Sequence, residues 1–265
     1  MAQSNAAAKK ATIDRHRAAF DLWRSVHEAL EGVVVQDRSH KGSFERSLDL
    51  LFLQAFKSHG SLYSLCVIGH CEDAATIARR ILEIALQIGY LDSEESERES
   101  RGKEYLAYFW HLTKGILANP SLSPKDRTRW QQAYDQNKKW LKFNKNGKPL
   151  PNWSGLTFAE LARKLGMSQS YEVDYRFLSN AAHSSAAGAM FGVHDGLVQI
   201  TDDRFVTPIL VYGTRYALAV TEVWDAHFEL VDNSKMEELR KLTLTFDFNA
   251  AACPHQSRSG ASVNT

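Results

Sequence analysis

The sequence predicts an all-α protein, a multi-helix bundle with extra helices and a short hairpin late in the chain. Apolar residues recur at three- and four-residue steps through most of the chain, which is the spacing of one helix face. Helix start signals, in which a Ser or Thr precedes an acidic residue by three positions, introduce further segments. We therefore expect a single helical domain over residues 13–248, between a flexible segment at 1–12 and a disordered tail at 249–265.

Long helices are expected over residues 13–34, from about residue 43, and over residues 72–91. The third has the clearest periodicity, and its apolar side chains lie on two opposite faces, so we expect a central helix that others surround. Arg79 and Glu83 lie one turn apart on its second face. Such a pair at a surface contributes only a few tenths of a kcal/mol, but the leucines beside it favour a half-buried, hydrogen-bonded pair.

The second half of the chain contains the start signals and the predicted hairpin. The signals are Ser123 with Asp126, Thr157 with Glu160, and Ser234 with Glu237. A further helix is expected over residues 207–231. Before it, residues 192–206 hold short apolar runs around Asp and Gly turn residues, which suit a small hairpin or an extended loop.

Composition and charge describe an ordinary globular chain. Hydrophobic residues make up 44% and charged residues 24%, and the net charge of +1 excludes global basicity as a sign of nucleic-acid binding. The three cysteines form no Cys-x-x-Cys pair, so neither a disulfide framework nor a four-thiolate zinc site is expected. The polar N-terminus and the lack of any long apolar run predict a cytoplasmic protein without a signal peptide or membrane span.

Residues 114–148 are locally basic, with nine Lys or Arg against two Asp and several interleaved aromatic residues. Lys138, Lys139, Trp140 and Lys142 belong to this segment. A mixture of cations and aromatic rings can bind single-stranded nucleic acid through its phosphates and bases. The alternative is a solvated helix whose aromatic side chains point inward.

Residues 170–191 are predicted to form a helix built around Arg176 and His183. Seven positions separate the two, so both side chains project from one face, about 10 Å apart along the axis. Asn180 falls between them on that face. The neighbouring residues are mostly Ala, Ser and Gly, so another helix could approach this surface closely. An Arg and a His in such an interface indicate a functional role.

Several other chemistries are excluded by residue spacing. The chain has no phosphate-binding Gly-Lys loop, no dinucleotide fingerprint and no nucleophile-turn motif. No His follows a Glu by three positions, which excludes the Glu-x-x-His pairs of di-iron bundles. The pairs His70-Cys71 and Cys253-Pro-His255 lack further ligands at workable spacing, so we expect no metal and no cofactor.

These elements resemble the HEPN superfamily of helical bundles, best known as metal-independent ribonucleases in toxins and phage-defence systems. The mark of that family is an Arg followed, after four to six residues, by a His on a late helix. The chain is most similar to an uncharacterised bacterial group of HEPN-like proteins with Arg-x-x-x-Glu and Tyr-x-x-Leu-Ser-x-x-x-His elements. The matching residues here are Arg79, Glu83 and Tyr90-Leu91 for the first element, and Tyr175, Leu178, Ser179 and His183 for the second, preceded by Trp153-Ser154-Gly155.

The resemblance implies RNA cleavage by attack of the ribose 2′-hydroxyl on the adjacent phosphate. His183 would act as general base or acid, and Arg176 would hold the phosphate and stabilise the transition state. Asn180 would orient the substrate or the His, with Ser179 beside it, while Arg79 and Glu83 would brace the site. The family builds its site across a twofold axis, so the implied partners are RNA, a second copy of the chain, and an antitoxin or defence-system protein.

Two alternatives remain open. The first is a catalytically inactive, HEPN-like dimeric interaction or sensor module, which the long Arg176–His183 interval and the apolar Phe177 favour. The second is a DNA-binding regulator, because residues 157–173 resemble a helix-turn-helix. The recognition helix of such a motif would present mainly acidic residues to DNA, and phosphate would repel them.

Overall fold

The computed structural model describes residues 2–36, 38–148, 150, 152–182, 193–194, 197–198 and 203–248. These residues form an all-α, multi-helix fold, as the sequence predicts. The helices are α1 Ala2–Arg15, α2 Arg17–Val34, α3 Ser43–Val67, α4 Cys71–Asp92, α5 Arg98–Tyr108, α6 Thr113–Leu117, α7 Pro124–Asn137, α8 Phe158–Lys164, α9 Ser168–Ser170, α10 Arg176–Ala182, α11 Val206–Phe228 and α12 Asn233–Leu244. A π-helical turn, Tyr171–Tyr175, lies between α9 and α10.

Short elements complete the described chain. They are the 3₁₀ turns Glu95–Glu97, Phe109–Leu112 and Lys138–Trp140, and the strands β1 Val193–His194 and β2 Leu197–Val198. The two strands pair antiparallel, with Val193 opposite Val198. This pair lies where the sequence predicts a hairpin. Residues 1–12, for which the sequence predicts a flexible segment, belong to α1 from Ala2 onward, and the predicted tail at 249–265 lies outside the described residues.

The chain divides into two compact units. The first contains Met1–Asp37, Phe52–Ala85 and Gln169–Thr265, and the second contains Arg38–Leu51 and Leu86–Ser168. Among the described residues, no helix is both long enough and apolar enough to cross a membrane.

The core of the first unit forms where α2 and α3 meet α11. The Phe52 and Trp224 rings stack with their centroids 4.2 Å apart, and both side chains are fully buried. A Cβ at Gly213, on α11, would overlap the Leu62 side chain of α3 and would lie 3.4 Å from the Ala78 Cβ of α4. The absence of a side chain at Gly213 therefore leaves room for Leu62.

The prediction that α4 is central is confirmed. Its residues are buried on nearly all sides: Ala74, Ala75, Ala78, Ile81, Leu82, Ile84, Leu86, Ile88 and Leu91 are each at most 2% exposed. Burying a Leu or Ile side chain contributes about 1.5–3 kcal/mol, so the apolar residues of α4 hold it firmly in the core. Polar side chains on this helix are thereby kept in fixed positions.

The predicted helix starts are confirmed in two cases and wrong in the third. Ser123 accepts a hydrogen bond from the Asp126 backbone N–H, and Thr157 and Glu160 form a reciprocal capping box. The N-cap of the last helix is Asp232 instead of Ser234. The Asp232 carboxylate accepts hydrogen bonds from the backbone N–H groups of Ser234 and Lys235. A carboxylate at the N-terminus also interacts favourably with the helix dipole, so Asp232 is the better cap.

Candidate functional site

Helix α4 and the segment 168–182 bring four polar side chains together in the first unit. The Arg79 Nη1 donates to the Ser179 Oγ at 3.3 Å, and the Arg79 Nε lies 3.5 Å from the Glu83 Oε1. The Tyr175 hydroxyl donates to the same Glu83 oxygen at 3.3 Å. We call Arg79, Glu83, Tyr175 and Ser179 the tetrad. Each helix contributes two residues one turn apart, so both pairs face each other across one helix contact.

The tetrad lies at the edge of the core. The side chains of Arg79 and Glu83 are 23% and 21% exposed, which agrees with the half-buried pair that the flanking leucines predict. The Arg79 guanidinium lies 5.8 Å from the centre of the Tyr175 ring. Its Nε is buried and forms no hydrogen bond within the described chain. The Arg79 charge therefore depends on Glu83 for compensation.

Burial governs the protonation of the tetrad. It raises the pKa of Glu83, and the Arg79 charge and the Tyr175 hydrogen bond act against this rise. Burial and the nearby Glu83 carboxylate raise the pKa of Tyr175 to about 12. At neutral pH Tyr175 therefore remains a hydroxyl donor. The Arg79 charge and the Tyr175 hydrogen bond both favour the ionised form of Glu83.

The π-helical turn Tyr171–Tyr175 comes directly before Arg176. A π turn holds one more residue than an α-helical turn, so it changes the direction of the side chains that follow, and such turns are frequent at functional sites. The Tyr171 and Tyr175 rings stack with centroids 4.5 Å apart. Asp174, in the same turn, accepts a hydrogen bond of 2.5 Å from the Tyr216 hydroxyl on α11.

Asp174 and Tyr216 are residues of this site that sequence reasoning missed. Burial raises the pKa of Asp174, while the Tyr216 hydrogen bond lowers it. Burial also raises the pKa of Tyr216, and the Asp174 contact adds to this rise. The pair fixes the π turn against α11. A tyrosine on each side of Asp174 in the sequence YEVDY is the only signal, and it does not identify Tyr216 as the partner.

Arg176 has different surroundings from Arg79. Its side chain is 71% exposed and forms an ion pair of 2.6 Å with Glu172, one turn earlier. Asn180, one turn later, is also exposed. Arg176 and Asn180 thus share an exposed face of the segment, beside the face that carries Tyr175 and Ser179. His183 lies outside the described residues. Of the face that the sequence predicts for Arg176, Asn180 and His183, the structure therefore describes Arg176 and Asn180.

The basic residues singled out from the sequence are largely engaged within the second unit. Lys138 forms an ion pair with Asp135 at 2.8 Å, and Lys142 forms one with Glu104 at 2.7 Å. The Trp140 ring has the ammonium groups of Lys103 and Lys139 at 5.2 and 5.4 Å from its centre. The rings and cations of this group therefore contact each other and their neighbouring carboxylates.

The remaining motif residues lie in a separate aromatic group within the second unit. The Trp153 Nε1 donates to the Gln87 Oε1 at 2.8 Å, and its ring lies 5.6 Å from that of Tyr90. The buried Arg101 donates to the Tyr90 carbonyl at 2.6 Å and lies 4.3 Å from the centre of its ring. These contacts give Tyr90 and Trp153 a packing role.

A family model described as "Family of unknown function (DUF5677)" matches residues 48–196, more than half of the 265-residue chain. The chain belongs to the DUF5677 family. Neither the curated proteins nor the solved structures contain a match to it. The DUF5677 segment includes the whole tetrad together with Arg176 and His183, whereas Tyr216 lies beyond its end.

Proposed function

We propose that this DUF5677 protein is a metal-independent endoribonuclease of the HEPN type, in which Arg176 and His183 act on the RNA backbone. One observation carries the proposal. The tetrad joins the Arg-x-x-x-Glu element of α4 to the Tyr-x-x-Leu-Ser element, which are the two parts of the resemblance, next to an exposed Arg176. The two elements are about 90 residues apart in the sequence (Glu83 and Tyr175 are 92 positions apart), yet their side chains are in direct contact.

The proposed reaction is a transesterification. The ribose 2′-oxygen attacks the adjacent phosphorus and loses its proton to a general base, while the 5′-oxygen leaves and takes a proton from a general acid. The products are a 2′,3′-cyclic phosphate and a 5′-hydroxyl. His183 suits either proton-transfer role because an ordinary His titrates near pH 6.5. Arg176 presents a permanently charged fork to the phosphate oxygens.

In this proposal the tetrad positions the site and does not touch RNA. Glu83 holds Arg79, and Arg79 donates to Ser179, which comes four positions before His183 in the sequence. Asn180, exposed beside Arg176, would orient the substrate. The proposal includes a homodimer with a shared site, a cytoplasmic location, and a role as a toxin or phage-defence effector with an antitoxin or defence-system partner.

The test is cleavage of single-stranded RNA by the purified protein in the presence of a metal chelator. We expect products that end in a 2′,3′-cyclic phosphate. His183→Ala and Arg176→Ala should each slow cleavage at least about 100-fold, the usual minimum for losing a general acid or base or an electrostatic donor. Arg46→Ala, at an exposed Arg of the second unit that no proposed contact involves, is the matched control. Cleavage that both site variants retain would exclude this mechanism.

A second candidate is the inactive dimeric module. It is favoured by two observations: Arg176 already pairs with Glu172, and the tetrad residues pair among themselves. In that case sedimentation would show a dimer, and no RNA would be cleaved. The DNA-binding alternative receives less support, because its recognition helix exposes the acidic Glu172 and the apolar Val173, neither of which would bind phosphate.

A further inference from the structure

The second unit carries an aromatic cluster at its surface, formed by Phe109, Trp110 and Trp130. The ring centroids lie 5.3 Å apart for Phe109 and Trp110, and 5.7 Å apart for Trp110 and Trp130. Phe109 completes the cluster at 6.2 Å from Trp130 and is 53% exposed. A single exposed apolar residue is normal on a protein surface, but adjoining aromatic rings indicate an interaction site.

Local structure explains why the cluster is held at the surface. Helix α5 ends at Tyr108 and continues as the 3₁₀ turn Phe109–Leu112, which places Phe109 and Trp110 at the α5 terminus. Trp130 comes from α7, which packs against this turn. Two elements thus fix the rings of Trp110 and Trp130, and Phe109 lies outermost.

The charge around the cluster selects an anionic ligand. The segment 114–148 has nine cationic side chains and two carboxylates. Arg129 comes directly before Trp130, and both Arg129 and Lys125 are exposed on α7. An apolar protein partner would gain nothing from these cations, whereas a phosphate backbone would.

Trp140, the aromatic residue that the sequence predicts for nucleic-acid binding, is less accessible to a nucleobase than Phe109. Lys103 and Lys139 lie over that ring, and Lys138 and Lys142 are paired with carboxylates. A nucleobase would have to displace these cations to stack on Trp140. Phe109 presents its ring to solvent with no such competition from the paired lysines.

We propose that the aromatic cluster binds single-stranded RNA, with bases stacked on Phe109 and Trp130 and phosphates held by Arg129 and Lys125. A duplex already stacks its bases internally, so unpaired bases are the part of RNA that fits exposed rings. The choice of RNA rests on the proposed ribonuclease function. The binding geometry depends only on the described residues of the second unit.

The test uses the full chain and a fluorescent single-stranded RNA with 2′-O-methyl groups. This RNA has no free 2′-hydroxyl, so binding is measured without cleavage. We expect Phe109→Ala to raise the Kd about 5- to 150-fold, the usual effect of losing one stacked base. Phe109→Trp should retain binding, and Phe109→Leu should weaken it as the Ala variant does. Phe143→Ala, at an exposed ring of the same unit, should leave the Kd unchanged.

A second measurement tests the phosphate contact. Arg129→Ala should reduce the slope of log Kd against log salt by about 0.7, the value for one phosphate of a single strand. Thermal melting of each variant confirms that it is folded, and Phe109 is exposed enough for its replacement to be tolerated.

Three outcomes would overturn the proposal. They are an unchanged Kd for Phe109→Ala, equal binding by Phe109→Leu and wild type, and equal binding of duplex RNA. Failure of the proposed ribonuclease function would be distinguishable from failure of the proposed RNA binding. If the protein is not a ribonuclease, unmodified RNA remains uncut, while Phe109-dependent binding of the 2′-O-methyl RNA persists.

Discussion

The charge of Glu83 depends on its neighbours. Burial favours its protonated form, and Arg79 and Tyr175 favour the carboxylate. Its folded-state pKa lies above the ordinary value. For a carboxyl group, this means that the protonated form is stabilised in the fold, so the contribution of Glu83 to stability falls as pH rises through its folded pKa. The Arg79 charge lowers the pKa of Glu83 and so reduces this loss of stability.

Arg79→Ala should therefore destabilise the protein, and more at pH 8 than at pH 5. Removing one partner of a buried pair costs about 3–5 kcal/mol, and the partial exposure of this pair reduces the expected loss to about 2 kcal/mol. The free energy of unfolding is measured by urea titration at both pH values. Glu83→Gln in the Arg79→Ala background should recover part of the loss.

Arg80→Ala serves as the control, because Arg80 is an exposed arginine on the same helix whose Nη2 donates to Gln54 at 3.5 Å. Its free energy of unfolding should change little, and its pH dependence should change less than in Arg79→Ala, because Arg80 is the weaker of the two charges that lower the pKa of Glu83. Equal losses for Arg79→Ala and Arg80→Ala would contradict a specific role for the tetrad.

The elements show which features a sequence pattern can reveal. The apolar periodicity of α4 and the start signals at Ser123 and Thr157 are local, and the structure confirms them. The π-helical turn has no local signal, because its extra residue interrupts the helical phase that a pattern assumes. The partnership of Asp174 with Tyr216, 42 positions apart, depends on that interruption. Periodicity therefore predicted the helices and the Arg79–Glu83 pair but not the contacts around the turn.

The glycines of the helices give a prediction at the same scale. A Cβ at Gly213 would overlap Leu62, so Gly213→Ala should lower the free energy of unfolding by about 1–3 kcal/mol, the usual cost of overpacking. Gly32, inside α2, has open space around its Cα. Gly32→Ala should therefore stabilise the protein by about 0.5–1 kcal/mol. Thermal or chemical unfolding distinguishes the two, and shifts of the same sign would show that α11 can move away from α3.

At the scale of the whole molecule, the sequence predicts the fold class because many local patterns agree, while the division into two units does not follow from them. The chain segments Arg38–Leu51 and Leu86–Ser168 join into one unit, and this depends on packing between residues that are distant in the sequence. The same packing buries histidines of the first unit. His59 is fully buried and contacts His27 at 3.2 Å and the Thr214 hydroxyl at 3.1 Å.

These buried histidines predict that the protein loses stability in mild acid. Burial lowers the pKa of His59 well below 6.5, and burial also lowers the pKa values of His27 and His16. The unfolded chain therefore binds more protons than the folded one once the pH falls below about 6.5, and each such histidine reduces the free energy of unfolding by up to about 1.4 kcal/mol per pH unit.

Urea unfolding at pH 7.5 and pH 5.5 measures this loss. In His59→Gln the loss should be smaller than in the wild type. Equal slopes for His59→Gln and the wild type would mean that His59 is protonated without unfolding.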